Sequence, residues 1–156
     1  MTTHHATALR QLRAVHDSYF IYLARLFEHL TDAPHQEVIT TLVNDTFYEL
    51  WESNRLWDAP RTMHEWLLRT AIGRARRCLR PVPPDGEDED SSTLTVEERA
   101  AIYLVYTGHT REQVAGILRL SGVCVDALLS QARLSIQNRY AKHQGGCRQP
   151  SVTTSL

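Results

Sequence analysis

Leu42 to Trp51, LVNDTFYELW, is the stretch on which the reading of this chain turns. At helical spacing Leu42, Val43, Thr46, Phe47, Leu50 and Trp51 share one face. Asp45, Glu49 and Glu52 fall on another, at i, i+4 and i+7. One side is large and apolar and the other is an acidic stripe. On periodicity alone this describes an amphipathic core helix.

Upstream, apolar or aromatic residues recur at 9, 12, 15, 19, 23, 26, 27 and 30, the alternation of three and four that a single long helix with one buried seam requires. Thr31-Asp32-Ala33-Pro34 suits a break and a restart, because proline is tolerated in a first turn. A second helix is then expected from about His35 to Ser53. Downstream, Asn54 to Arg61 reads as a connector. Thr62-Met63-His64-Glu65 has the form of a capping box, which predicts a helix from Met63. Its apolar positions are Met63, Trp66, Leu67, Thr70, Ala71, Cys78 and Leu79, and Pro81 should end it. Arg69, Arg74, Arg76, Arg77 and Arg80 form a basic run with no acid among them.

PVPPDGEDEDSST, residues 81–93, is a linker by composition. Beyond it, Thr95-Val96-Glu97-Glu98 and Thr110-Arg111-Glu112-Gln113 are further helix starts, separated by Gly108 as a C-cap. Arg119-Leu120-Ser121 is a tight turn, and Ser121 can cap a last helix to about Tyr140. Val125, Leu128, Leu129, Ala132 and Ile136 should face inward on it. Short helix, three-residue turn and longer helix make a helix-turn-helix plan, whose second helix enters a major groove. The last residues, KHQGGCRQPSVTTSL, show no periodicity and read as a disordered tail.

Composition bounds the class. The chain has 156 residues, 42% hydrophobic and 22% charged, with a net charge of −1, which fits a soluble globular protein. No apolar run approaches the ~20 residues needed to cross a bilayer, so no membrane insertion is expected. The N-terminal residues lack a basic-then-apolar signal pattern. Cys78, Cys124 and Cys147 give neither a disulfide framework nor a zinc pattern, so a cytoplasmic setting is the simplest expectation. Eight histidines show no H-E-x-x-H and no i, i+4 pairing, and read as surface or interhelical residues. No phosphate loop or nucleophile elbow appears. An enzyme, a metal site and a cofactor are therefore not expected, and Cys124 reads as a small buried thiol.

The order of residue types in the opening stretch resembles the signature helix of region 2 in extracytoplasmic-function (ECF) sigma factors, a run of the type DLVQETFLRLW. Leu42, Val43, Phe47, Leu50 and Trp51 match, with Asn44 and Asp45 in place of Gln and Glu. TMHEWLLRTAIGRARRCLR is similar to the following sigma segment at Trp66, Leu67, Arg69, Ala71 and Arg80, with Gly73 and Arg77 in place of Asn and Asp. The segment from Leu94 to Tyr140 resembles region 4 at Leu94, Arg99, Gly108, Ala115, Leu118, Ser121, Val125, Leu129, Ala132 and Arg133. The resemblance covers about residues 8–140.

It implies an all-α chain of two small helical domains. Residues 1–80 would form a region 2-like bundle, 81–93 an acidic flexible linker, 94–141 a region 4-like helix-turn-helix domain, and 142–156 a tail. It further implies a non-enzymatic role in transcription initiation. Leu42, Asn44, Asp45, Tyr48, Glu49 and Glu52 would bind the β′ clamp helices of core RNA polymerase. Trp66, Arg69, Arg74, Arg76, Arg77 and Arg80 would hold the opened promoter −10 element. Arg119, Gly122, Asp126, Ser130, Gln131 and Arg133 would read the −35 element. An anti-sigma protein is the further partner that the resemblance implies. Region 4 departs from the family: Arg119 replaces the turn glycine, Cys124 a Thr, Asp126 a basic residue, and Leu128 and Gln131 each an Arg. Each lost phosphate contact weakens binding and reduces its salt slope by about 0.9. The alternative is a sigma-like interaction protein that no longer reads promoter sequence.

Overall fold

A computed structural model describes residues 2–31, 35–78 and 94–145, and every regular element among them is helical. Helix α1 (Thr2–Leu30) carries the long seam that the spacing predicts. Val15, Leu23, Leu26, Phe27 and Leu30 are buried, and Leu12 and Tyr19 pack partly against the same core. Leu9 departs from the expectation and lies 51% exposed, whereas Ala8 of the same turn faces a hollow with Trp51 and Leu56. Thr31 closes the helix by donating from its buried hydroxyl to the Phe27 carbonyl at 2.7 Å.

Helix α2 (Gln36–Glu52) buries Ile39, Leu42, Val43, Thr46, Phe47 and Leu50. Thr46 is tolerated there because its hydroxyl donates to the Leu42 carbonyl at 2.8 Å, so no polar atom is left without a partner. The connector holds a short 3-10 turn at Arg55–Trp57, entered through Asn54 at φ 55° and anchored by buried Leu56.

Helix α3 (Pro60–Cys78) begins earlier than the capping-box reading placed it. Pro60 opens the first turn, where its fixed φ suits a helix, and the Met63 amide bonds the Ala59 carbonyl at 3.0 Å. Thr62 is therefore inside the helix, and Glu65 pairs with Arg61 at 3.4 Å instead of capping. The buried face is Met63, Leu67, Leu68, Ala71, Ile72 and Ala75, with Trp66 half-buried and Cys78 exposed. The Pro34 turn, Arg80, the 81–93 linker and residues 146–156 lie outside the described residues.

Helices α4 (Val96–Tyr106) and α5 (Arg111–Leu118) each start with a complete capping box, Thr95 with Glu98 and Thr110 with Gln113. Gly108 ends α4 at φ 93°, a conformation that favours glycine. The turn after α5 takes Arg119 to φ 55°, and the Leu120 amide bonds the Ala115 carbonyl at 2.9 Å. Ser121 caps helix α6 (Gly122–Gly145), accepting from the Cys124 amide at 3.2 Å. The α6 backbone runs past the expected end near Tyr140, as far as Gly145. Helices α5 and α6 meet at a bend of 97°, within the helix-turn-helix range. Val125 and Ala132 are buried on α6, Leu128 and Leu129 half-buried, and Ile136 exposed.

Helix α4 packs on α1 and α3, and α5 packs on α3. The buried side chains of both halves therefore form one continuous cluster from Val15 to Val125. Among the described residues no single helix is long and apolar enough to cross a membrane.

Two backbone positions carry a removable cost. Arg119 sits in the left-handed region without the side-chain help that lets Asn adopt it. Gly73 is mid-helix, and a Cβ there would meet nothing within 4 Å. Arg119→Gly and Gly73→Ala should each raise stability in urea denaturation, by about 0.5–1 kcal/mol.

Candidate nucleic-acid and partner interface

The polar face of α2 points outward. Asn44, Asp45, Tyr48 and Glu52 are exposed and Glu49 is half-exposed. The Tyr48 hydroxyl donates to Glu52 at 2.8 Å, a bond that favours the phenol and raises its pKa. Leu42 belongs to the opposite face and is buried, so it supports this surface from beneath. The stripe is thus an open, acidic and aromatic ridge on a rigidly packed helix.

The arginines of α3 are brought together with acids and carbonyls from three other segments. Arg74 lies across the α2 stripe, 2.6 Å from the Glu49 carboxylate and 3.0 Å from the Asp45 carbonyl. Arg69 donates to the Gly116 and Ile117 carbonyls at 3.1 and 3.4 Å, at the C-terminal end of α5. The unpaired carbonyls and the dipole of a helix end attract a cation there. Arg76 meets Glu97 of α4 at 2.5 Å. Arg77 is exposed.

Trp66 lines a cleft of about 520 Å³ between α3 and α5 together with Arg55, Arg69, Arg76, Arg77 and Arg119. Glu49 and Glu65 are the acids on its wall. An aromatic ring among guanidinium groups is the chemistry that stacks a base and grips phosphates. Several of those groups are already committed to internal acceptors, so an incoming anion would have to displace them.

On α6 the leading residues are open. Val123, Cys124, Asp126, Ala127, Ser130 and Gln131 are exposed, and Gly122 is half-exposed. Cys124 is exposed where a buried thiol was expected, because Val125 takes the inward position of that turn. Asp126 does not stand as a lone negative charge: Arg111 of α5 pairs with it and also donates to the Gly122 carbonyl at 3.2 Å. A Cβ on Gly122 would sit 3.2 Å from the Arg111 guanidinium, so glycine makes room for this lid. Arg133 lies further along, beside a shallow apolar groove with Ile102, Val105, Tyr106 and Ile136.

No protein-family model matches the chain, and no curated protein matches it either. Sequence reasoning missed Arg111, Arg55 and Glu97 as members of these surfaces. Thr110-Arg111-Glu112-Gln113 was read only for its cap, and nothing local marks Arg111 as a partner for Asp126, which is fifteen positions later. Arg74 provides the sharpest check of the geometry, because its planar fork serves two acceptors at once. Arg74→Lys should cost about 1 kcal/mol or less in urea denaturation, since the Glu49 carboxylate and the Asp45 carboxylate 3.7 Å away both remain partly in water. The loss should shrink at high salt.

Proposed function

We propose that this chain is a promoter-directing subunit of RNA polymerase, of the ECF sigma type. One observation carries the reading: the α5–turn–α6 unit meets at 97°, and the first turns of its second helix face solvent. That is the arrangement in which side chains reach base edges in a major groove. The exposed acidic ridge of α2 supports the other half of the role, docking on the β′ clamp helices. Asn44, Asp45, Tyr48 and Glu52 are free of the core and presented on a helix locked by Val43 and Phe47. Trp66 and the α3 arginines would hold the single strand of the −10 element, and Gln131, Ser130 and Arg119 would contact the −35 duplex. The polymerase performs the chemistry, and a cytoplasmic setting follows from that role.

The second reading has its own support. Arg69, Arg74 and Arg76 are tied to internal acceptors, and Arg111 neutralises Asp126. A sigma-like protein that acts through polymerase or an anti-sigma partner, without reading promoter sequence, would look the same. Pull-down with core polymerase followed by run-off transcription on genomic DNA separates the two. Under the first reading the chain should select discrete start sites, and Gln131→Ala should weaken discrimination at one −35 position by about 1–3 kcal/mol. Asp45→Lys, on an exposed side chain, should reduce polymerase capture about ten-fold with helicity unchanged. Capture without start-site selection would favour the second reading. No capture at all would end the first reading and leave the second only its anti-sigma partner.

A further inference from the structure

The two halves of the chain meet through a contact that neither half needs for its own packing. His64 of α3 and His109, in the turn between α4 and α5, place their Nε2 atoms 3.0 Å apart. Their rings lie parallel within 3°. His109 Nδ1 lies 3.1 Å from the Leu104 carbonyl and 3.2 Å from the Thr107 hydroxyl, which also reaches the Tyr103 and Leu104 carbonyls. At 3.0 Å the two facing Nε2 atoms bond only while one of them lacks a hydrogen, because an N–H must meet a bare ring nitrogen. Two N–H groups face to face would lose the bond. Charging His64 would place an imidazolium half-buried against its neighbour.

We infer that this histidine pair is a proton-sensitive clamp between the helical halves, closed while one of the two facing nitrogens is bare, and that acid releases it and frees the α3 arginines for a polyanion. The clamp stands on the contacts alone, whereas the polyanion step rests on the nucleic-acid reading of α3.

The surroundings favour a neutral His64. Tyr19 and Tyr22 of α1 lie 5.7 and 6.0 Å from the His64 ring, and burial raises both phenols, so they stay uncharged. Arg61 and Glu65 of α3 and Gln113 of α5 line the same hollow. Burial first, and His109 second, hold His64 below the ordinary imidazole value of 6.5, with Glu65 pulling weakly the other way. A base whose value is lowered in the closed form binds its proton better in the open form. Closure is therefore fully favourable above about pH 6.5 and weakens as pH falls below it. A second histidine repeats the design on the same seam. The His29 ring of α1 lies 5.4 Å from that of Tyr103 of α4, tilted by 40°, and burial and Arg99 lower its value too.

What the clamp holds shut is specific. Arg76 with Glu97, and Arg69 with the α5 carbonyls, are bonds between the halves. Separation would break both and leave two guanidinium groups facing water beside exposed Arg77.

The test uses the full chain with dyes on exposed Glu37 of α2 and Asn138 of α6, followed by single-molecule energy transfer at constant ionic strength. Between about pH 7.5 and 5.5 the open-to-closed ratio should rise, by up to about ten-fold for each of His64 and His29. His64→Gln/His109→Gln, checked for helicity, should flatten that rise while the response of His29 remains. If the double variant loses helicity, His109→Gln alone takes its place. An open fraction that ignores pH, or a rise unchanged in the variant, overturns the clamp. In parallel, anisotropy of a labelled single-stranded oligonucleotide should report tighter binding as the open fraction grows. Opening without tighter binding would keep the clamp and overturn the release of α3 for a polyanion.

Discussion

The apolar seam of α1 is the constraint on which the rest of the molecule depends. Leu23, Leu26, Phe27 and Leu30 are completely buried, and their helix packs on α2, α3 and α4 together. The region from α4 to α6 has few large side chains of its own to bury. Its core is Val96, Ala100, Ala101, Leu104, Val114, Ile117, Val125 and Ala132, with three alanines among eight residues. A unit of that size buries a modest fraction of its surface by itself. Packing against α1 and α3 adds apolar area to it. The two halves are therefore coupled energetically whatever the role of the segment joining them.

That coupling changes what the arginine run means. Read along the chain, five arginines without an acid among them look like a free cationic face. In space, Arg69, Arg74 and Arg76 point at α5, α2 and α4 respectively. Each contact is partly exposed and so worth little to stability. Their larger effect is on binding: a phosphate must replace a carboxylate or a carbonyl already in place. Discrimination between an internal acceptor and an external one is then a matter of small differences, which a change in domain packing can tip.

Much of the helical frame was legible, and the reasons are local. Thr95, Thr110 and Ser121 cap the helices they were expected to cap, because a cap needs only the residues within one turn of it. The opening stretch on α2 buries the face its spacing marks out. The departure at Arg119 was visible as a missing glycine, and the backbone there is indeed left-handed. Thr62 misled because Pro60, two residues earlier, had the stronger claim on the first turn. Cys124 misled because a thiol and a valine sit side by side and only one can face in. The ion pairs were illegible for a different reason. Arg69 meets carbonyls 47 and 48 positions away, and His64 meets a partner 45 away, distances at which periodicity carries no information.

Those illegible contacts share one location. Arg76 with Glu97, Arg69 with the end of α5, His64 with His109 and His29 with Tyr103 all cross between the first three helices and the last three. The apolar contacts on the same boundary are nearly indifferent to pH and salt, whereas these polar ones respond to both. A boundary of this mixed kind closes by burial and is adjusted by charge. For the proposed promoter-directing role this matters, because a −10 strand on α3 and a −35 duplex on α6 would demand that the halves take up a spacing set by DNA. The adjustable part of the boundary is the part that would have to yield first.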